Sequence, residues 1–108
     1  MSELYTRFDN VFFEKTRLSI VTLLHQDERL AFNALKFRLE LSDGALYTHL
    51  QKLITAGYVS KERELTRLGS QTVYELTEDG LVTFQEYIGF LERMVAQAGG
   101  TDYTGGTR

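Results

Sequence analysis

Apolar side chains at Leu4, Phe8, Val11 and Phe12 recur at the spacing of one helical face. The next segment, KTRLSIVTLLHQ, is apolar around much of its circumference, with Lys15, Ser19 and Thr22 as the polar gap. A helix of that kind is expected to be contacted on several sides. QDER breaks the pattern, and LAF (residues 30–32) is short, apolar and strand-like. Asn33 is placed to cap a short helix over ALKFRLEL, with Leu35 and Leu39 on one face. Ser42 caps the next helix, and Gly57 stands where a left-handed C-terminal residue belongs. YVSKEREL and QTVYELT are rich in Val, Tyr and Thr and flank a turn containing Gly69, which predicts a hairpin. Thr77 caps a last helix, with Glu78 and Asp79 in its first turn, where the helix dipole favours acids. That helix is expected to reach about Ala98. Along it Leu81, Ile88 and Val95 repeat by seven, as do Phe84 and Leu91, and Tyr87 and Met94.

The order helix, short strand, helix, helix, hairpin, long helix predicts a winged helix-turn-helix, mainly α with a small β-hairpin. Residues 1–98 are expected to form one domain, with N- and C-terminal segments serving dimerisation. The glycine-rich GGTDYTGGTR, residues 99–108, has no apolar pattern and is expected to be a disordered tail.

A length of 108 residues suits one domain with a core of its own. The chain has no cysteine, which excludes disulfides, thiolate metal sites and thiol nucleophiles. It has no long apolar run, and its start lacks the order of a signal peptide, so a soluble cytoplasmic protein without membrane contact is expected. Nothing resembles a P-loop, a dinucleotide fingerprint or a nucleophile elbow. We therefore expect no enzyme, no catalytic residue, no cofactor and no metal site. His49 falls on the inner side of its helix, where a hydrogen-bonded core imidazole is expected. The net charge of −3 argues against indiscriminate nucleic-acid binding. Charge is uneven, however: residues 33–77 hold 6 Lys or Arg against 5 Asp or Glu, whereas residues 78–108 hold 2 against 5. Anion binding would have to be a local, patterned effect.

The helix over DGALYTHLQKLITA, about residues 43–56, has two unlike sides. Leu46, His49, Leu50, Leu53 and Ile54 fall together as a core face. Gly44, Ala45, Thr48, Gln51, Lys52 and Thr55 fall opposite, with Tyr47 at the border. An ordinary solvated face more often carries Glu, Lys and Arg in i,i+4 pairs. Small side chains let a helix approach a surface, and Gln, Thr and Tyr can bond base edges or phosphates. On its own the arc fits either reading.

TRLSIVTLL, LAFNALKFRLELSDGALYTHLQKLITAGYV and VYELTEDG together resemble the winged-helix transcription regulators of the MarR/ArsR-like superfamily, in particular the small single-domain type. The resemblance covers roughly residues 8–95. It implies a homodimer that binds double-stranded DNA, with the third core helix in the major groove and the wing, about residues 65–71, on backbone or minor groove. By position, Ser42, Gly44, Ala45, Tyr47, Thr48, Gln51 and Lys52 correspond to the recognition surface. Lys61, Arg63 and Arg67 correspond to phosphate contacts on strand and wing, with Lys36 as a weaker candidate. Two departures stand out. Glu40 occupies a turn that often carries glycine in relatives, and is expected to strain or reshape it. Asp43 places an acid in the first turn of the helix facing DNA. The heptad of the last helix and the aromatic N-terminal segment both call for a burial site, which a two-fold dimer supplies. The interface expected is Tyr5, Phe8, Phe12, Phe13, Ile88, Leu91, Met94 and Val95. No residue identifies an effector ligand. The alternative use of the same fold is a protein–protein interaction module without DNA binding, favoured by the negative net charge and a wing poor in cations.

Overall fold

Glu14 divides the first apolar segment in two. The computed structural model describes residues 10–99. In it a one-turn helix α1 (Asn10–Phe13) stops before Glu14, and α2 (Lys15–Asp27) starts after it. Glu14 is extended (φ −71°, ψ 137°), and its carboxylate accepts the Arg17 amide at 2.8 Å, an N-cap. The continuous apolar periodicity hides this break, because the cap adds no interruption to the pattern. Leu4, Tyr5 and Phe8 lie outside the described residues.

α2 packs against α1, the next two helices, the last helix and the sheet, as its all-round apolarity requires. Ile20, Val21 and Leu24 are buried. In the polar gap Ser19 and Thr22 turn their hydroxyls back onto the carbonyls of Lys15 and Leu18. Residues 30–32 do more than link helices. β1 (Leu30–Ala31) pairs antiparallel with β3 (Gly69–Leu76), which also pairs with β2 (Val59–Thr66), giving a three-stranded sheet in the order β1-β3-β2. The expected hairpin is thus the larger part of a sheet whose third strand is two residues long.

α3 (Phe32–Leu39) begins one residue before the expected cap. Ala31 holds the cap position with no side-chain bond, and Asn33 is exposed inside the first turn. Ala31 pairs with Val73 in the ladder, so the chain passes directly from strand into helix. At the far end Glu40 is left-handed (φ 54°, ψ 48°), the geometry expected to favour glycine, and the turn keeps it with a glutamate in place. The amides of Glu40 and Leu41 both donate to the Lys36 carbonyl.

α4 (Asp43–Thr55) starts as expected, with the Ser42 hydroxyl accepting the Ala45 amide at 3.1 Å. It ends in a Schellman motif: Gly57 is at φ +89° and donates to the Ile54 carbonyl, while Tyr58 donates to Leu53. Thr77 then caps α5 (Glu78–Gly99), its hydroxyl accepting the Gly80 amide at 3.0 Å and donating to the Gly57 carbonyl at 2.6 Å. The end of α4 and the start of α5 are therefore locked together. Gly80 lies so close that a Cβ there would sit 2.1 Å from the Tyr58 carbonyl oxygen.

Phe12, Ile20, Leu24, Leu35, Leu46, Leu50, Leu53, Val59, Tyr74 and Phe84 belong to one core cluster. Phe12 thereby corrects an expectation. It is 0% exposed within one chain, edge-on to Phe13, Tyr58 and Tyr87, so it is a core residue and presents no surface to a partner. Phe13 is partly buried against Tyr87 (centroids 5.0 Å apart). On α5 the heptad columns separate: Phe84 is buried, Tyr87 and Leu91 partly so, while Leu81, Ile88 and Val95 are exposed, as is Met94. Among the described residues no helix is long and apolar enough to cross a membrane.

Candidate nucleic-acid interface

The two sides of α4 part as its periodicity requires. Leu46, Leu50 and Leu53 are buried; Gly44, Tyr47, Thr48, Lys52 and Thr55 are exposed, with Ala45 and Gln51 intermediate. Nothing lies within 4 Å of where a Gly44 Cβ would be, so no contact inside the chain requires glycine there. Gly44→Ala is therefore expected to leave the fold intact and to raise stability slightly, by up to about 1 kcal/mol, since alanine is the better helix former. If the first turn approaches DNA closely, the same variant will bind DNA more weakly. Thermal melting together with a DNA titration separates the two effects.

His49 is half-buried, and its Nδ1 lies 3.0 Å from Nη1 of Arg17. A guanidinium only donates, so Nδ1 accepts and the ring proton is assigned to Nε2. Arg17, at 9% exposure, also donates through Nε to the Val11 carbonyl (2.7 Å) and through Nη2 to that of Asn10 (3.5 Å). One buried cation thus joins the first two residues of α1 to α4. Burial opposes ionisation of the adjacent Glu14, but the Arg17 amide and the Arg17 guanidinium hold its carboxyl below the usual glutamate value. The sequence offered a clue to Arg17, since a cation inside an apolar run needs a buried partner.

The hairpin sorts charge by register. Cross-strand partners share a face, and successive residues alternate between faces. Lys61 pairs with Tyr74, Arg63 with Thr72 and Leu65 with Ser70, which puts all six on one side. Glu62, Glu64 and Glu75 fall on the other, where they surround Arg29 at 3.7, 3.7 and 3.2 Å. Arg63 is held across the strands by the hydroxyls of Thr72 (3.0 Å) and Ser70 (2.6 Å). The cationic side adjoins α4, for one cleft is lined by Asn33, Tyr47, Lys61, Thr72 and Tyr74. Burial and then Tyr47 push the Tyr74 phenol above its usual value, so this phenol keeps its proton and adds no negative charge beside Lys61. The wing turn is the pair Arg67–Leu68, closed by the pairing of Thr66 with Gly69, whose φ is +128°.

Ion pairing divides the expected contact residues. Among the described residues no carboxylate pairs with Lys52, Lys61, Arg63 or Arg67. Lys36 differs: its ammonium is 2.9 Å from Asp43. That pair also gives Asp43 a role, because the acid at the start of α4 is matched by a cation of α3. Arg38 pairs with Asp27. The Ser42 oxygen accepts the Ala45 amide in its cap, and its O–H remains a donor.

Residues 16–95 match the family described as winged helix DNA-binding domain. A protein of Methanocaldococcus jannaschii is 36% identical over 78 residues, which are 72% of this chain and 85% of that protein. The structure of a transcriptional regulator homologue from Pyrococcus horikoshii superposes with a TM-score of 0.79 at 22% identity, covering 90% of this chain and 97% of that one. A homodimeric winged helix-turn-helix DNA-binding domain from Mycobacterium bovis gives 0.70 at 23% identity, covering 81% and 77%. Structures at that level of identity establish the fold, and they agree with the three-stranded sheet and long last helix described above. The family match does more: this chain belongs to the winged-helix DNA-binding domains.

Proposed function

We propose that the chain is a sequence-specific DNA-binding transcriptional regulator that acts as a homodimer, with α4 in the major groove and the wing on backbone or minor groove. The observation that carries this reading is the sorting of charge across the hairpin. The cations beside α4 lack carboxylate partners among the described residues, while three glutamates are gathered around Arg29 on the opposite face. A chain of net charge −3 thereby offers phosphates a positive strip without being basic overall. The same sorting weighs against a module that only binds protein.

In this account Lys52, Lys61, Arg63 and Arg67 contact phosphates. Tyr47, Thr48 and Gln51 meet base edges, and Gly44 and Ala45 let the helix come close. Lys36 has the smaller part, since Asp43 matches its charge. Dimerisation is supported by the exposed column Leu81, Ile88 and Val95 on α5, which one chain leaves in water. Two recognition helices would then meet successive major grooves about one DNA turn apart.

Gln51→Ala tests the reading at its specific end. Its expected result is a changed base preference at one position of each half-site, worth about 1–3 kcal/mol, with the salt dependence unaltered. Competition among duplexes that differ by single base pairs measures it. A uniform loss on every duplex would remove Gln51 from base reading.

A further inference from the structure

We propose that the wing tip reads the floor of the DNA minor groove through two leucines, Leu65 and Leu68, which disfavour guanine there by covering its exocyclic amino group with hydrocarbon. The inference rests on the DNA-binding reading above and adds a specificity device to it.

Leu68 is 99% exposed and Leu65 is 87% exposed, the two barest large apolar side chains among the described residues. Both sit at the end of a hairpin whose eight-residue strands project about 26 Å, far from the core at Val59. A solvated turn has no need of leucine, and turns are ordinarily built from Gly, Asn, Asp and Ser. The surroundings say what covers these side chains. Leu65 follows Lys61 and Arg63 on the cationic face, and Leu68 adjoins Arg67, none of them paired with a carboxylate among the described residues. An apolar tip with Arg67 beside it, and Arg63 and Lys61 behind it on the same strand face, fits a polyanion with a recess, and suits an apolar protein surface poorly.

The tip is also held in shape. The Thr66 hydroxyl donates to the Gly69 carbonyl at 2.8 Å and accepts the Leu68 amide at 3.1 Å, and the ladder continues to the last pair before the turn. The backbone that carries the leucines is thus fixed before DNA is met.

In the minor groove every base pair shows acceptors, and a G·C pair adds the guanine amino group, which projects from the floor. A leucine laid over that donor leaves it without a partner and meets its bulk. An A·T pair presents neither obstacle. The device would therefore act as exclusion, separating A·T from G·C in the segments flanking each half-site without hydrogen bonds of its own.

The test replaces flanking G·C pairs by inosine·cytosine, which lacks only the amino group. Wild-type protein is expected to bind duplexes with A·T or inosine·cytosine flanks alike, and those with G·C flanks about fivefold or more weakly. In the double variant Leu65→Ser, Leu68→Ser the difference should fall below about twofold. The melting temperature, the half-site preference and the salt slope should stay unchanged, because the leucines are exposed and uncharged.

Inosine flanks that behave like guanine would overturn the proposal. So would a preference that survives in the double variant and disappears in Arg67→Ala, since groove width would then be what is read. A change of oligomeric state in the DNA-free double variant, with flank preference intact, would assign the leucines to self-association. Binding that ignores the flanks refutes the wedge alone, whereas failure to bind any duplex refutes the DNA-binding reading with it.

Discussion

Gly80→Ala is expected to destabilise the fold by on the order of 3 kcal/mol, more than any substitution on the surface of α4 or the wing. The added methyl would lie 2.1 Å from the Tyr58 carbonyl oxygen, and the obstacle is backbone, which no rotamer change removes. That carbonyl is also held in place, since it accepts the Thr77 amide at 3.0 Å. Relief would require α5 to move away from the α4–β2 junction, breaking the Thr77 bonds to Gly57 and Tyr58. Alanine's better helix propensity recovers at most about 1 kcal/mol of this. Urea unfolding measures the change directly. A loss below about 1 kcal/mol would mean that the close approach is not a rigid feature of the fold.

The second large effect belongs to the wing. Replacing Lys61, Arg63 and Arg67 together by alanine is expected to weaken binding on all DNA sequences by roughly two orders of magnitude or more at physiological salt. In a dimer the substitutions remove six charges, so the slope of log K against log salt should become shallower by about 5. Arg67→Ala alone should remove about 1 per subunit. Stability should change little, since all three side chains are exposed and none is paired with a carboxylate among the described residues, and the two bonds lost, from Arg63 to the Thr72 and Ser70 hydroxyls, lie in water. The contrasting control is Glu62→Ala on the other face, which should leave the slope where it was. Fluorescence anisotropy over a salt series provides both numbers. An unaltered slope in the triple variant would detach the wing from the phosphates.

The elements that could be read in the sequence are those whose signals are local. Ser42 and Gly57 bracket α4, Thr77 opens α5, and the alternation around Gly69 marks the hairpin; each depends on residues within a few positions. Features set by distant partners were hidden. Glu14 interrupts no periodicity, so the break between α1 and α2 could not be seen. The shift of the α3 cap from Asn33 to Ala31, and of its first residue from Ala34 to Phe32, depends on Ala31 pairing with Val73, more than forty positions away. Gly80 reads as a poor helix residue until the Tyr58 carbonyl is known to press on it.

The site was legible in its parts and opaque in its arrangement. The outer arc of α4 follows from helical geometry alone. Counting charge along residues 33–77 gave nearly balanced numbers, because a count cannot tell the two faces of a strand apart. Register does so: Lys61 and Arg63 alternate with Glu62 and Glu64, and a balanced sequence becomes two oppositely charged surfaces. Phe12 shows the converse error. An aromatic in an N-terminal helical pattern looked available to a partner, and the chain's own core had already claimed it.

The central claim is that this winged helix reads DNA sequence as a dimer. Selection from random duplexes at physiological salt tests it most directly. The account predicts enrichment of an imperfect palindrome whose half-sites lie about one turn, 10–10.5 base pairs, apart. Failure to enrich any sequence would contradict it.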